Sequence, residues 1–428
     1  MKEGQQMHDL MRRLFPINRS ITGKGFRQSL KIIKEYVPEL QIKSIGTGEK
    51  CFDWIVPPEW DVEEAYIEEL PSGKKIVDFK ENNLHLVGYS IAVDKVLSFE
   101  ELNKHLYYRE DLPEAIPYVT SYYHPNWGFC LTYNQYKALD RSKKYRVVIR
   151  SRHFQGELNY GELLIPGESE KEIFLSTYLC HPSMANNELS GPVLATFLAR
   201  YVKQKENRRY TYRFIFIPET IGSICYLSRN LKELKDKVVA GFVLTCVGDE
   251  GDFSYLPSRY GNTLADKVAL NLLTYEVGNF KRYSFLDRGS DERQYCSPGV
   301  DLPVCLVMKS KFGEYKEYHT SLDNLDFVTP KGLQESYDFY MKLVEVLENN
   351  FKYKVTVLCE PQMGKRGLYH RVSHMGRKGF IRTLMDFLVY ADGKNDLVDI
   401  ANIIGKSAYE LIGVAKVLKE HNLIEVVG

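Results

Sequence analysis

Four short apolar runs constrain this chain more than any other feature. They read "EIFLSTYL" (172–179), "YRFIFIPE" (212–219), "AGFVLTCVG" (240–248) and "LPVCLVMKS" (302–310), and stretches with helical spacing over 192–204, 222–235 and 262–278 separate them. Each run is strand-sized and apolar throughout, the pattern of a strand buried on both faces. Buried strands alternating with helices predict an α/β fold: a mainly parallel, mixed sheet between layers of helices.

The rest of the chain has a different texture. Residues 4–15 and 25–36 carry helical spacing around the turn "NRSITGKG". From Cys51 to about Tyr145 short β-type runs with Pro and Gly punctuation predict an inserted β-rich domain over 51–145, dividing the sheet domain into 1–50 and 146–354. "YRVVIRSRHFQGELNYGELLIPG" reads as a hairpin pair. The loop "SYYHPNWGF" (121–129) is the part of the insertion best suited to reach a cleft, with Tyr122, Tyr123 and Trp127 as apolar walls and His124 as a polar contact; packing of the interdomain seam is the equal alternative. A basic stretch over 365–378 leads into a helix, turn, helix, turn, helix, strand pattern, which closes a fourth segment, 355–428.

With 428 residues, more than one core is expected. The net charge of +1 gives no overall drive toward nucleic acid or a membrane surface. No run is long and apolar enough to span a bilayer, and no signal peptide is recognised at the N-terminus. The eight Cys include no CxxC pair and read as reduced core thiols of a cytoplasmic protein.

Ligands in open α/β sheets sit beyond the carboxyl ends of the strands. Cys180-His181 and Asn187-Glu188 follow the first run, Glu219-Thr220 the second, Asp249-Glu250 the third, and "KFGEYKEYHTSLDNLDF", with His319, Asp323 and Asp326, the fourth. Two imidazoles with several carboxylates on one edge have the composition of a nitrogen- and oxygen-ligated metal site, and zinc suits it. The structural alternatives stay open: a histidine after a strand also serves as a core residue, and Asn187 with Ser190 serves as a helix N-cap.

The order of these pieces resembles the zinc aminopeptidase superfamily that also contains the glutaminyl cyclases. "CHPSMANNELSG" is similar to the segment of the first histidine ligand, "PETIG" to that of the general base, and "GSDERQYCSPGVDLP" to the stretch before the last strand. "YHTSLDNLD" is similar to the terminal ligand segment. "FPINRSITG", "FDWIVPPEWDVEEAYI", "GDFSYLPSR" and "EYHTSLDNLDF" are more similar still to bacterial aminopeptidase-like proteins, some labelled as polysaccharide-biosynthesis proteins, with an inserted β domain and, in some, a C-terminal winged helix. The resemblance implies His181 and His319 as metal ligands and Glu219 as catalytic base.

The departures are specific. Asn187 stands where a bridging Asp is expected, Thr220 where a second Glu is expected, Ser183 at the Asp two residues after the first His, and Thr245 at the later metal Asp, with Asp249 nearby. One zinc rather than two is therefore expected, held by His181, His319 and one or two of Glu188 and Asp249. Asn187, Asp291, Arg293 and Tyr295 are expected around the substrate, although Arg293 and Tyr295 could equally serve only their own polar loop.

The leading functional expectation is a metal-dependent hydrolase for a small or chain-end amide or peptide-like substrate; the alternative is a binding protein on a catalytically degenerate peptidase scaffold. A winged helix raises DNA binding as a third reading. Residues 382–428 hold five basic residues against seven acids, the wrong sign for a phosphate footprint, so nucleic acid is not the expected partner. A homo-oligomer stays open.

Overall fold

The computed structural model describes residues 2–368 and 375–427. An eight-stranded sheet forms the centre. Its order is Gln41–Gly46, Glu157–Ile165, Tyr210–Ile217, Ser169–Tyr178, Val238–Val243, Val304–Met308, Phe253–Leu256 and Phe280–Arg282. The four strands predicted from the apolar runs lie side by side and parallel, so their carboxyl ends share one edge. They are buried along nearly their whole length, as strands covered on both faces must be.

Strand Ser169–Tyr178 leads through helix Ser190–Gln204 to its neighbour Tyr210–Ile217 on one side. That neighbour leads through helix Ile221–Lys237 to Val238–Val243 on the other side. Right-handed crossovers that run in opposite directions put their helices on opposite faces of the sheet. The two loops therefore part company just beyond Tyr178 and Ile217 and open a crevice there.

A second sheet is wholly antiparallel, in the order Lys74–Asp78, Glu59–Leu70, Lys144–Phe154 and Val93–Ser98. The hairpin expected from "YRVVIRSRHFQGELNYGELLIPG" does not form. Strand Lys144–Phe154 pairs inside this second sheet, whereas Glu157–Ile165 joins the central one. The chain changes sheets at Gly156, where a Cβ would come within 2.3 Å of the Glu59 carboxylate. That carboxylate accepts the Glu157 N–H at 3.1 Å and so ties the crossing point to the second sheet.

The C-terminal part packs helices Met375–Tyr390, Leu397–Ile404 and Ala408–Glu420 with a three-stranded sheet of Asp392–Asp396, Lys352–Val355 and Ile424–Val427, a winged-helix arrangement. The basic stretch singled out in the sequence lies partly outside the described residues. Among the described residues no helix is long and apolar enough to cross a membrane.

Candidate metal centre

His181 stands in the crevice, on the first loop beyond strand Ser169–Tyr178. Its Nδ1 lies 2.6 Å from Glu188 Oε2. The other Glu188 oxygen accepts the backbone N–H groups of Cys180 and His181. The carboxylate thus fixes both the ring and its loop, and a proton on Nδ1 leaves Nε2 as the free nitrogen, 3.6 Å from Glu219 Oε2. Burial works against a charge on His181, but Glu188 outweighs it and raises the pKa. From behind, the buried Arg19 guanidinium donates to the His181 carbonyl at 2.9 Å. Asp323 accepts the N–H groups of Ala185, Asn186 and Asn187, which caps the single turn carrying Glu188.

Glu219 lies just beyond the end of the adjacent strand, Tyr210–Ile217. Burial pushes its carboxyl up to about 7, with Glu188 and Glu292 adding to the shift and His181 and Arg293 opposing it. Thr220 follows with φ 64° and ψ −76°, a conformation that costs a β-branched residue of the order of 1–3 kcal/mol. Asp291 holds that conformation: its Oδ1 accepts the Thr220 N–H and the Ser223 hydroxyl, each at 2.8 Å. Arg293 donates to Thr220 Oγ1 at 2.5 Å.

The loop carrying His319 comes from beyond the fourth strand. Its ring stacks on Tyr318, and its centroid is 5.3 Å from that of His181. Nε2 of His319 is buried and unpartnered, and burial, then His181, lowers its pKa to about 3. The inserted segment meets this loop directly. Tyr118 N–H donates to the His319 carbonyl at 2.8 Å, and Ser321 N–H to the Ile116 carbonyl at 2.9 Å. Tyr118 is thereby set against both histidines, at centroid distances of 4.7 and 5.2 Å. A cavity of about 370 Å³ results, walled by His181, Glu219, Thr220 and His319 on the sheet side and by Trp54, Tyr118, Tyr122 and Tyr123 from the insertion.

The structure brings together His181, Glu188, Glu219 and His319, with Asp291 and Arg293 behind Thr220. It does not bring Asp249. Both Asp249 oxygens are engaged elsewhere, by Asn186, Ser310 and Gly251, because the carboxylate satisfies the start of the next loop. Tyr295 is also away from the cavity, fully buried with its hydroxyl on Ser176 and its ring edge-on to Phe174. Asn187 gives its amide to the Tyr178 hydroxyl and keeps a buried, unpartnered Oδ1. Within the aromatic loop, Tyr122 and Tyr123 reach the cavity, while Trp127 is buried against His105 inside the insertion. Sequence reasoning passed over Arg19, Trp54 and Tyr118. An arginine in a turn without acidic neighbours was a usable signal for the first; among 30 tyrosines nothing marked Tyr118.

The tightest cluster of ligand-type side chains among the described residues is Cys180, His181 and Glu188. Its His181 Nδ1 is committed to Glu188, and burial drives the Cys180 thiol up, away from the thiolate a metal needs. The Nε2 side fits better: His181 Nε2, the unpartnered His319 Nε2 and the Glu219 carboxylate are the donor kinds a single zinc takes. Asn187, at the position of the bridging Asp in the resembled pattern, carries no charge.

A family model described as Domain of unknown function (DUF4910) matches residues 8–350, and one described as winged helix-turn-helix matches 351–426. A Clostridium acetobutylicum protein named as a candidate polysaccharide biosynthesis protein with an aminopeptidase-like domain is 42% identical over 426 residues, 99% of this chain and 97% of its own. A crystal structure of a candidate peptidase from the same organism covers 100% of this chain and 97% of its own, at 41% identity and a TM-score of 0.93. A zinc aminopeptidase from Bacillus subtilis aligns at 12% identity and a TM-score of 0.56, covering 81% of this chain and 94% of its own. At that identity the likeness is one of fold: the central domain is aminopeptidase-like.

Proposed function

We propose, on the premise that the chain belongs to the family described as Domain of unknown function (DUF4910) and has an aminopeptidase-like fold, that the cavity is a hydrolytic site. Its substrate is an amide or peptide-like bond at the end of a small or chain-like molecule. His181 and His319 would hold one divalent cation, zinc by the character of its donors, with the Glu219 carboxylate beside it. Such an ion supplies Lewis acidity toward a carbonyl oxygen when bound. Glu188 keeps the His181 proton on Nδ1 and so keeps Nε2 free. Glu219 accepts the proton of the attacking water at its carboxylate, and Asp291 and Arg293 hold Thr220 so that Glu219 points into the cavity. The aromatic lining of Trp54, Tyr118, Tyr122 and Tyr123 beside the histidines supports a preference for chain ends. The name of the Clostridium acetobutylicum relative supports a place in polysaccharide metabolism.

The observation that carries this reading is the convergence of three strand ends on one cavity, with His181 Nε2 3.6 Å from Glu219 Oε2 and a bare His319 Nε2 alongside. The test is turnover of a panel of aminoacyl and N-acyl amides. Glu219→Gln should cut it by about 10²–10⁴, the usual worth of a general base, with fold retained. Unchanged turnover in Glu219→Gln would remove Glu219 from the chemistry. The second reading, a degenerate scaffold that binds without cleaving, is favoured by Asn187 and Thr220, which stand at carboxylate positions of the resembled pattern. It predicts saturable binding of the same amides with no product.

A further inference from the structure

The winged helix-turn-helix is the motif that the proposed chemistry does not use. In DNA-reading members of this architecture the N-terminal end of the second helix of the motif faces base edges in the major groove. Here that helix is Ala408–Glu420, and its N-terminal end is occupied. Ala408 N–H donates to Asn271 Oδ1 at 2.7 Å, and Asn271 Nδ2 donates to Asn402 Oδ1 at 2.7 Å and to the Lys406 carbonyl at 3.1 Å. A single asparagine side chain of the central domain thus grips the last turn of the first helix, the turn itself and the start of the second. Ser407 and Ala408 of the winged helix are buried, as is Asn271 across the seam.

Flanking contacts continue the same seam. Lys267 pairs with Asp399 at 2.8 Å. Lys342, paired with Glu276 at 2.6 Å, sits 5.5 Å over the Tyr409 ring. Asn350 donates to Asp396 at 3.0 Å and accepts the Val398 N–H at 3.0 Å. Helices Leu397–Ile404 and Ala408–Glu420 therefore lie on helices Leu264–Leu272 and Pro330–Asn349 of the central domain. The side of the second helix left exposed carries Glu410, Lys416, Lys419 and Glu420, balanced in sign and without a phosphate-binding bias.

We infer that the groove-reading end of this motif has become an intramolecular docking surface whose partner is helix Leu264–Leu272 of the same chain, with Asn271 as its receptor. The winged helix is then a fixed brace of the aminopeptidase-like domain, not a reader of DNA.

The experiment uses the full chain. Hydrogen exchange of the amides in 397–420 is followed in the wild type, in Asn271→Ala and in Asn402→Ala. The second variant removes one bond at the half of the seam nearer solvent, in case the first does not fold. Either folded variant should speed exchange across 405–411 by about tenfold or more, while amides of strand Ser169–Tyr178 stay protected. In parallel, fluorescence anisotropy against a random-sequence duplex pool at about 0.15 M salt should show no sequence-selected binding by the wild type. Unchanged exchange at 405–411 in both variants, or selection of a defined duplex by the wild-type chain, would overturn the inference. Hydrolytic turnover plays no part in either readout, so failure here and failure of the proposed chemistry remain distinguishable.

Discussion

At the scale of single residues, Glu188 shows how one carboxylate can shape a site without lining its cavity. One of its oxygens lies against His181 Nδ1 and the other accepts two backbone N–H groups. Replacing it should weaken metal binding about 10–100-fold, the usual effect of losing such a support. Glu188→Gln, which keeps an acceptor for the loop N–H groups, should lose less than Glu188→Ala; competition with a chromogenic chelator measures both. Equal losses would mean that Glu188 contributes charge alone. That His181, Glu219 and His319 would lie near one another was legible because a strand end is a place, and the apolar runs reveal the strand ends. Asp249 was misplaced by the same logic. It follows the third strand, but nothing in the sequence shows that Ser310, Gly251 and Asn186 use up its oxygens.

At the scale of elements, the insertion splits into a structural and a cavity-facing part, and substitutions should separate them. Trp127 is buried on His105 within the insertion, so Trp127→Ala should destabilise the chain by about 3–5 kcal/mol, the range for large aromatics. Tyr123 is 47% exposed at the cavity rim, so Tyr123→Ala should leave thermal stability nearly unchanged and alter ligand affinity. Denaturation and ligand titration on each variant check the pair, and a destabilised Tyr123→Ala would place the rim in the fold. The central sheet carries its own buried polar element. Arg213 pairs with Glu172 at 2.6 Å and Glu162 at 2.8 Å. Burial alone would push the Glu162 carboxyl up, but Lys43, Tyr226 and Arg213 outweigh it and hold it low. A depressed carboxyl contributes stability that is complete above its unfolded value, about 4.3, and lost as pH falls through the folded one. Arg213→Met should therefore cost about 3–5 kcal/mol at neutral pH by stranding buried carboxylates. The loss should shrink as acid neutralises them, which urea unfolding at pH 7 and at pH 4 compares. The hairpin misreading belongs at this scale too. Alternation in 145–166 correctly marks two strands, but period alone carries no information about partners, and Gly156 sends the two strands to different sheets.

At the scale of the whole molecule, the fold class was legible because four buried strands and the helices between them leave few ways to close a core. What was not legible is the assembly around the cavity. Tyr118 reaches the histidines through a backbone contact between residues about 200 apart in sequence, the kind of pairing no local pattern encodes. The winged helix was readable as an element, and its acidic excess argued against DNA, but the grip of Asn271 on its turn appears only in three dimensions. These distant contacts give the cavity its walls, while the sheet supplies the chemical groups. The central claim is that those groups hold one metal ion. Elemental analysis of protein purified without chelator, for the wild type and for the His181→Ala, His319→Ala double variant, tests it most directly. About one zinc per chain in the wild type and none in the folded double variant is the predicted result; a metal-free wild type that takes up no zinc on dialysis, or a double variant that keeps its full complement, would contradict it.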